Sequence, residues 1–316
     1  MTVVTKIICK AVLLLLAPLY VYGTPVQDGP MTYIYNGPES GSDIRYRYHW
    51  SVLRAALDAT ANKWGAYTLR PSPFMNESRQ IVEMQSARGL INTMVLDTTA
   101  ELERRLLPVR IPVDKGLLGY RVFLIRKTDQ GNFSKVQTLD DLRQFRIGQG
   151  SDWSDTSIFR AAGFTVITGH TYEGLFSMLE AGRFDAFGRG VTEVLPELAG
   201  FRVRAPSMTV ERNLLLYYPM PVYFWFPKTE DGARRAERVE EGMRIILAQG
   251  TLDKLFMAEY AVTLKRLNLR DRRLLKMENP LLPNGNPFAS TDWLFEPTRQ
   301  ENRGRNDSGE PARRGK

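Results

Sequence analysis

The chain has 316 residues, 43% of them apolar and 25% charged, with one cysteine, two histidines and a formal net charge of +8. That balance excludes a wholly disordered chain, a collagen-like chain and a polytopic membrane protein, and the length suits two lobes better than one compact core. One cysteine excludes a disulfide scaffold or a cysteine-rich metal site, and His49 and His170 alone speak against a histidine-based one, so no metal and no cofactor is expected.

Residues 1–23, MTVVTKIICKAVLLLLAPLYVYG, read as an export signal. Lys6 and Lys10 precede an apolar run that is short for a membrane span, and Val21-Tyr22-Gly23 fits a small-x-small cleavage site, with a retained membrane anchor as the alternative. Export predicts a periplasmic protein. It argues against a nucleic-acid partner more strongly than the spread basic charge argues for one. The mature chain then begins with a strand at 32–35, ended by Asn36-Gly37-Pro38. Helical spacing of Val52, Leu53, Ala56 and Leu57 predicts a helix over 44–63, with Asp43 as its cap. A short strand at 67–69 follows. Asn76 caps a helix over 77–88 that Gly89 closes. An apolar strand over 90–96 ends at Asp97-Thr98-Thr99. The order so far is β-α-β-α-β, the signature of an open α/β sheet.

A helical turn is expected at 101–107, and GLLGYRVFLIRK over 116–127 is the clearest strand in the chain. Thr138 and Asp141 have capping-box spacing ahead of a short helix. Strands at 146–148, 164–167 and 184–187 alternate with helices reaching 162, over 172–181 and over 191–198. This repeats the α/β alternation and predicts a second lobe. Further strands are expected at 201–203, 213–217 and 222–226, and a long helical region over 232–276 with a break near Gly250. After Glu278 the chain becomes an irregular Pro-, Asn- and Gly-rich strap. Residues 297–316 carry too little apolar surface to order themselves.

Several stretches together carry a family resemblance. They are Leu139-Asp140-Asp141-Leu142 followed by Arg146-Ile147-Gly148; Leu179-Glu180-Ala181-Gly182-Arg183-Phe184-Asp185-Ala186; Thr99 to Pro112, with Glu103-Arg104-Arg105 and Ile111-Pro112; and Ala248-Gln249-Gly250-Thr251-Leu252-Asp253-Lys254-Leu255. In this order, over about 32–269, the chain resembles the type II periplasmic solute-binding proteins, in particular the branch serving amino-acid ABC importers. The resemblance implies a two-lobed α/β fold with a hinge of two crossing segments, near 126–128 and 217–221. Lobe one would comprise 24–127 and 217–278, lobe two 128–216, with the strap at 279–296. It also implies a monomer that captures a small-molecule ligand between its lobes and presents it to a membrane permease or a membrane sensor. A cyclohexadienyl-dehydratase-like enzyme is the less favoured implication; it would need a poised acid, for which Glu39 or Glu193 stands nearest.

The candidate ligand contacts follow. Gly148-Gln149-Gly150-Ser151-Asp152-Trp153-Ser154-Asp155 sits between a strand and a helix N-terminus. Its amides and the Ser151 and Ser154 hydroxyls suit an anion, Asp152 and Asp155 suit a cation, Trp153 offers a ring to stack on, and plain capping is the alternative. The resemblance places further contacts at Tyr35, Asn36 and Glu39, where turn chemistry is the competing reading, and at Asp97, Thr98 and Thr99. The family's carboxylate-holding arginine has no clear counterpart, so Arg104 or Arg105 is expected to serve. The family's amine-holding aspartate aligns with Gly190, preceded by Arg189. A free cation at Arg189 would favour an anionic ligand over an ordinary α-amino acid. The aromatic clusters Tyr46, Tyr48, His49, Trp50 and Tyr217, Tyr218, Tyr223, Phe224, Trp225 read better as core than as cleft lining. No nucleophile elbow, P-loop or dinucleotide fingerprint is present.

Overall fold

Residues 29–37, 46–86, 88–283 and 294–297 are described by a computed structural model. The export segment, Glu39, the Asp43 cap and residues 298–316 lie outside the described residues.

The first sheet layer combines a two-stranded sheet of β1 (Met31–Tyr35) and β2 (Tyr67–Pro71) with a three-stranded one of β3 (Met94–Asp97), β4 (Leu106–Val109) and, from much later in the chain, β11 (Val222–Pro227). β1 and β2 run parallel, a bridge from Tyr35 to Thr93 carries the sheet toward β3, and β11 lies antiparallel between β3 and β4. Helices α1 (Arg47–Ala59), α2 (Ala61–Trp64), α3 (Glu77–Ser86) and α4 (Ala100–Arg105) connect these strands. The expected 44–63 helix therefore comes in two pieces that break at Thr60, whose hydroxyl bonds back to the Ala56 and Leu57 carbonyls. Val52, Leu53, Ala56 and Leu57 are fully buried, in one cluster with Val95, Phe224 and Val239. Each such side chain contributes about 1.5–3 kcal/mol by leaving water.

The second sheet has the order β12-β10-β5-β8-β6-β7, with β9 beside β5. Its strands are β5 (Tyr120–Arg126), β6 (Ile147–Gly150), β7 (Val166–Gly169), β8 (Ala186–Gly190), β9 (Met208–Val210), β10 (Leu214–Tyr217) and β12 (Arg273–Lys276). Between them run α5 (Gln130–Phe133), α6 (Leu139–Arg143), α7 (Ser154–Ala161), α8 (Tyr172–Glu180) and α9 (Val194–Gly200). The capping box forms as its spacing predicts: Thr138 Oγ1 accepts from Asp141 N, and Asp141 Oδ2 accepts from Thr138 N. The chain closes with α10 (Glu230–Ala248) and α11 (Thr251–Leu267), which break at Gly250 as expected.

Several expectations are corrected. Residues 106–109 pair with β11 as a strand that the helical spacing before them hides. Residues 201–203 are no strand, because Phe201 turns inward to stack on Phe176 at 3.7 Å while Val203 is exposed. Residues 273–276 are not helix but run parallel to β10, since Asn268 adopts a left-handed conformation and ends α11.

Taking the two sheets as the cores of two lobes, the crossings also move. β5 already pairs with β8, β9 and β10, so the first crossing falls at 110–119 and not at 126–128. On the same reading the return lies at 218–221, between β10 and β11, and β12 adds a third passage. Tyr218 N donates to Gly119 O at 3.2 Å, and a Cβ at Gly119 would lie 2.6 Å from the Tyr218 carbonyl oxygen, so only glycine lets these two crossings touch. Asp114 pins the first crossing by accepting from Gly116 N at 3.0 Å and Leu118 N at 2.7 Å. Among the described residues no helix is long and apolar enough to cross a membrane.

Candidate functional site

The C-terminal ends of β3 and β6 face each other across the gap between the two sheets. β3 delivers Asp97 from the first lobe, and the loop after β6 delivers Trp153 and Ser154 from the second. Ser154 Oγ donates to Asp97 Oδ2 at 2.6 Å, a bond that spans the two lobes. Beneath it Arg121, 2% exposed on β5, places Nη2 3.0 Å from Asp155 Oδ1, and the Tyr218 hydroxyl donates to the same oxygen. Arg121 Nη1 lies 3.7 Å from Glu193 Oε2. These groups enclose a cavity of about 80 Å³ whose wall carries five carboxylates, Glu77, Asp97, Asp114, Asp155 and Glu193, against two guanidiniums, Arg121 and Arg189.

Burial pushes the Asp97 carboxyl up to about 6; the Ser154 bond opposes the shift, Asp155 adds to it and Arg121 opposes it. Asp114 is also pushed up to about 6, mainly by burial, against the two backbone N–H groups it accepts. At Arg121 burial disfavours the charge, but Asp155, Tyr218 and Glu193 outweigh it and keep the guanidinium protonated. Among the described residues no group of three or more histidine, cysteine, aspartate or glutamate side chains is placed to hold a metal ion.

Two larger grooves open from this core. One, of about 550 Å³, is lined by Thr99, Arg104, Arg105, Ser151 and Trp153 and shares Asp97 and Ser154 with the core. The other, of about 600 Å³, runs between α1 and α11 on one side and α8 and α9 on the other, and joins the core at Thr192 and Glu193.

The expected contacts divide accordingly. Asp97, Trp153 and Ser154 stand at the core and Arg189 stands on its wall. Thr99 caps α4 through its hydroxyl, which accepts from Leu102 N at 3.0 Å, and lines the outer groove with Arg104, Arg105 and Ser151. Arg105 pairs with Glu101 at 3.4 Å. Tyr35 lies against Trp50, ring centroids 4.4 Å apart. Asn36 is buried and accepts from Val95 N at 3.0 Å, pinning β1 to β3. Thr98 is buried against the return crossing, its N–H bonded to Pro221 O. His170 is exposed, as expected, and His49 borders the core.

The expectation of a free cation at Arg189 is corrected. Its guanidinium meets Glu197 through Nε at 2.8 Å and Nη2 at 2.5 Å, lies 3.2 Å from Glu193 and packs over Trp153 and Phe187 at 4.8 and 4.9 Å. The cation stacked on Trp153 is therefore the protein's own. Gly190 has an equally physical account. A Cβ there would lie 2.8 Å from Glu193 Oε2, and the Gly190 N–H donates to that oxygen at 2.9 Å. Position 190 thus carries no carboxylate, and the Glu193 carboxylate lies against it. Arg121, Asp114 and Asp155 complete the wall. Arg121 had a readable signal, a lone charge inside the apolar run GYRVFLI, whereas Asp114 looked like ordinary loop polarity.

No family model matches the sequence, and no curated protein matches it. Solved structures do match in fold. An ancestral arginine-binding protein bound to arginine is 17% identical, with 73% of this chain and 98% of that chain covered and a TM-score of 0.54. A histidine kinase sensor domain with similarity to periplasmic binding proteins is 15% identical over 73% and 96%, TM-score 0.52. An ancestral amino-acid-binding protein, a precursor of cyclohexadienyl dehydratase, is 13% identical over 73% and 95%, TM-score 0.51. The chain has the two-lobed α/β fold of the type II periplasmic solute-binding proteins.

Proposed function

We propose that this chain, with its type II solute-binding fold, is an exported binding protein that holds a small ligand bearing a cationic group between its lobes. One observation carries the reading. Carboxylates from both lobes converge on one buried cavity, Asp97 from the first and Asp155 and Glu193 from the second, and outnumber the guanidiniums that share it. An ammonium or guanidinium entering there relieves mutual repulsion among buried anions, and so favours the closed arrangement of the lobes. Trp153 and Ser154 complete the contact, and Asp97 is both a ligand contact and half of the cross-lobe bond.

A neighbour that binds arginine and a neighbour that is a sensor domain both agree with this reading. Uptake through an ABC-type permease is the favoured role, and signalling to a membrane sensor the alternative; both would read the same closed state. Calorimetric and thermal-shift titration of the purified chain against cationic, neutral and anionic small solutes is the test. A ligand at a hundred times its dissociation constant adds about 2.7 kcal/mol, a rise of roughly 4 °C for a chain of this length. Shifts confined to amines and guanidines support the reading, and shifts confined to dicarboxylates or phosphates sink it.

A further inference from the structure

Arg121 carries a second message. Its Nη2 faces Asp155 and donates to Met220 Sδ, and its Nη1 faces Glu193, but among the described residues nothing accepts from its Nε–H, although the side chain is 2% exposed and the residue forms part of the cavity wall. A buried charged donor left without an acceptor costs about 1–3 kcal/mol or more; Nε is itself closed off, so its acceptor arrives with a ligand whose binding shifts this wall. The surroundings choose its charge. Five carboxylates already share this wall, and of the two guanidiniums Arg189 is taken up by Glu197. A ligand carboxylate would have to settle beside Asp155 and Glu193 in a low-dielectric pocket, where like charges repel strongly. A carbonyl oxygen offers the same lone pairs without that repulsion. The rest of such a ligand has room, because the core opens at Glu193 and at Asp97 into grooves of about 600 and 550 Å³.

We propose that Arg121 Nε–H receives a neutral carbonyl oxygen of the ligand while the ligand's ammonium lies among Asp97, Asp155 and Glu193, so that the site selects amino-acid amides and the N-termini of short peptides over free amino acids. This rests on the cationic-ligand reading above. Titration calorimetry of the full chain with two matched series tests it: alaninamide, alanine and ethylamine, and argininamide, arginine and agmatine. The amide binds at least about tenfold more tightly than both its free acid and its bare amine in any series that binds, one charge-assisted hydrogen bond being of that size. A free acid that equals or exceeds its amide overturns the proposal, and so does a bare amine that equals the amide. In Arg121→Lys, which keeps the charge but lacks the Nε–H, the amide-to-amine ratio falls below about threefold; a ratio that survives the substitution also overturns it. Should that variant fail to fold, the ligand series on the parent protein decides alone. Amines that bind without an amide preference sink only this proposal, whereas no binding by any of the six compounds removes the cationic-ligand reading and this one with it.

Discussion

Arg121 and Arg189 stand on neighbouring strands, Arg121 opposite Gly190 and Arg189 opposite Val122, and both are 2% exposed. Their surroundings differ. Arg189 is the more fully paired: Glu197 takes its Nε and Nη2, Glu193 lies beside it, two aromatic rings cover its face, and Tyr172 donates to Glu197 at 2.8 Å from behind. Arg121 shares a single oxygen of Asp155 with Tyr218, gives Nη2 also to Met220 Sδ, holds Glu193 only at 3.7 Å, and has no acceptor at Nε among the described residues. Burial alone does not separate a site from a support. Donor-by-donor accounting does, since an N–H that a buried carboxylate already holds has nothing left to offer a ligand.

The harshest way to break the comparison is to remove the more fully paired arginine. Arg189→Met leaves Glu197 and Glu193 buried without their main counter-charge, and the expected loss is about 3–5 kcal/mol at pH 7.5, read by urea unfolding. The double variant Arg189→Met with Glu197→Gln should recover a large part of that loss, because the orphaned anion goes with its partner. A loss below about 1 kcal/mol in the single variant would show that the cluster does not hold the second lobe together.

Carboxylates on the two sides should respond with opposite sign. Burial pushes the Glu197 carboxyl up as well, so its sign comes from its partner: Glu197→Gln leaves the buried Arg189 guanidinium without its main counter-charge and is expected to cost about 2 kcal/mol. Asp97→Asn should instead stabilise, by about 1–3 kcal/mol at pH 7.5. The sign follows from the shift. Asp97 sits at about 6 in the folded chain against an ordinary 3.8. The folded state therefore holds that proton more tightly, and the stability it gives is present below 3.8 and lost as the pH rises through 6. Asparagine has no such dependence and can still accept the Ser154 bond, so the gap between variant and parent should open between pH 4 and pH 7. The same substitution should weaken amine binding, which separates a poised ligand contact from a structural carboxylate. Equal destabilisation by both substitutions would erase the distinction between the two sides.

Glu193 lies between the two arginines and tests where one side ends. Glu193→Gln keeps an oxygen for the Gly190 N–H but removes a charge from the core. Amine affinity should fall about tenfold, with stability changed by less than about 1 kcal/mol. A stability loss as large as that of Arg189→Met would assign Glu193 to the support and not to the site.

Much of the fold was legible because local chemistry and tertiary packing agree. The Thr138–Asp141 capping box, the stop at Gly89, the break at Gly250 and the α/β alternation all need only neighbouring residues. What could not be read depends on distant partners. Residues 106–109 and 273–276 are strands only because β11 and β10 lie beside them, and the first crossing moved because β5 pairs with strands up to 97 residues away. The site follows the same rule. Asp97, Trp153 and Ser154, which the structure brings to one cavity, stand out in the sequence by their places at strand and loop ends. The charge on Arg189 was misjudged because its neutralising partner, eight residues on, reaches it only through the turn of α9. Asn36 read as a contact because its turn position is real, but its carbonyl serves Val95 inside the first sheet.

The smallest expected effect concerns the arginines that the sequence put forward as anion holders. Arg105 is about one-third exposed and pairs across one helical turn with Glu101, itself 68% exposed. Such a pair contributes about 0.3–0.5 kcal/mol at most, because water already solvates both charges. Arg105→Ala should therefore shift stability by less than about 0.5 kcal/mol, and Arg104→Ala by no more. Both line the outer groove and neither borders the core. Affinity for a small amine should change by less than about twofold in either variant, and mainly at low salt, where an exposed cation still repels an approaching one. A tenfold loss for either would place the ligand in the outer groove. Arg121, with its spare donor, would then be a support of the same kind as Arg189.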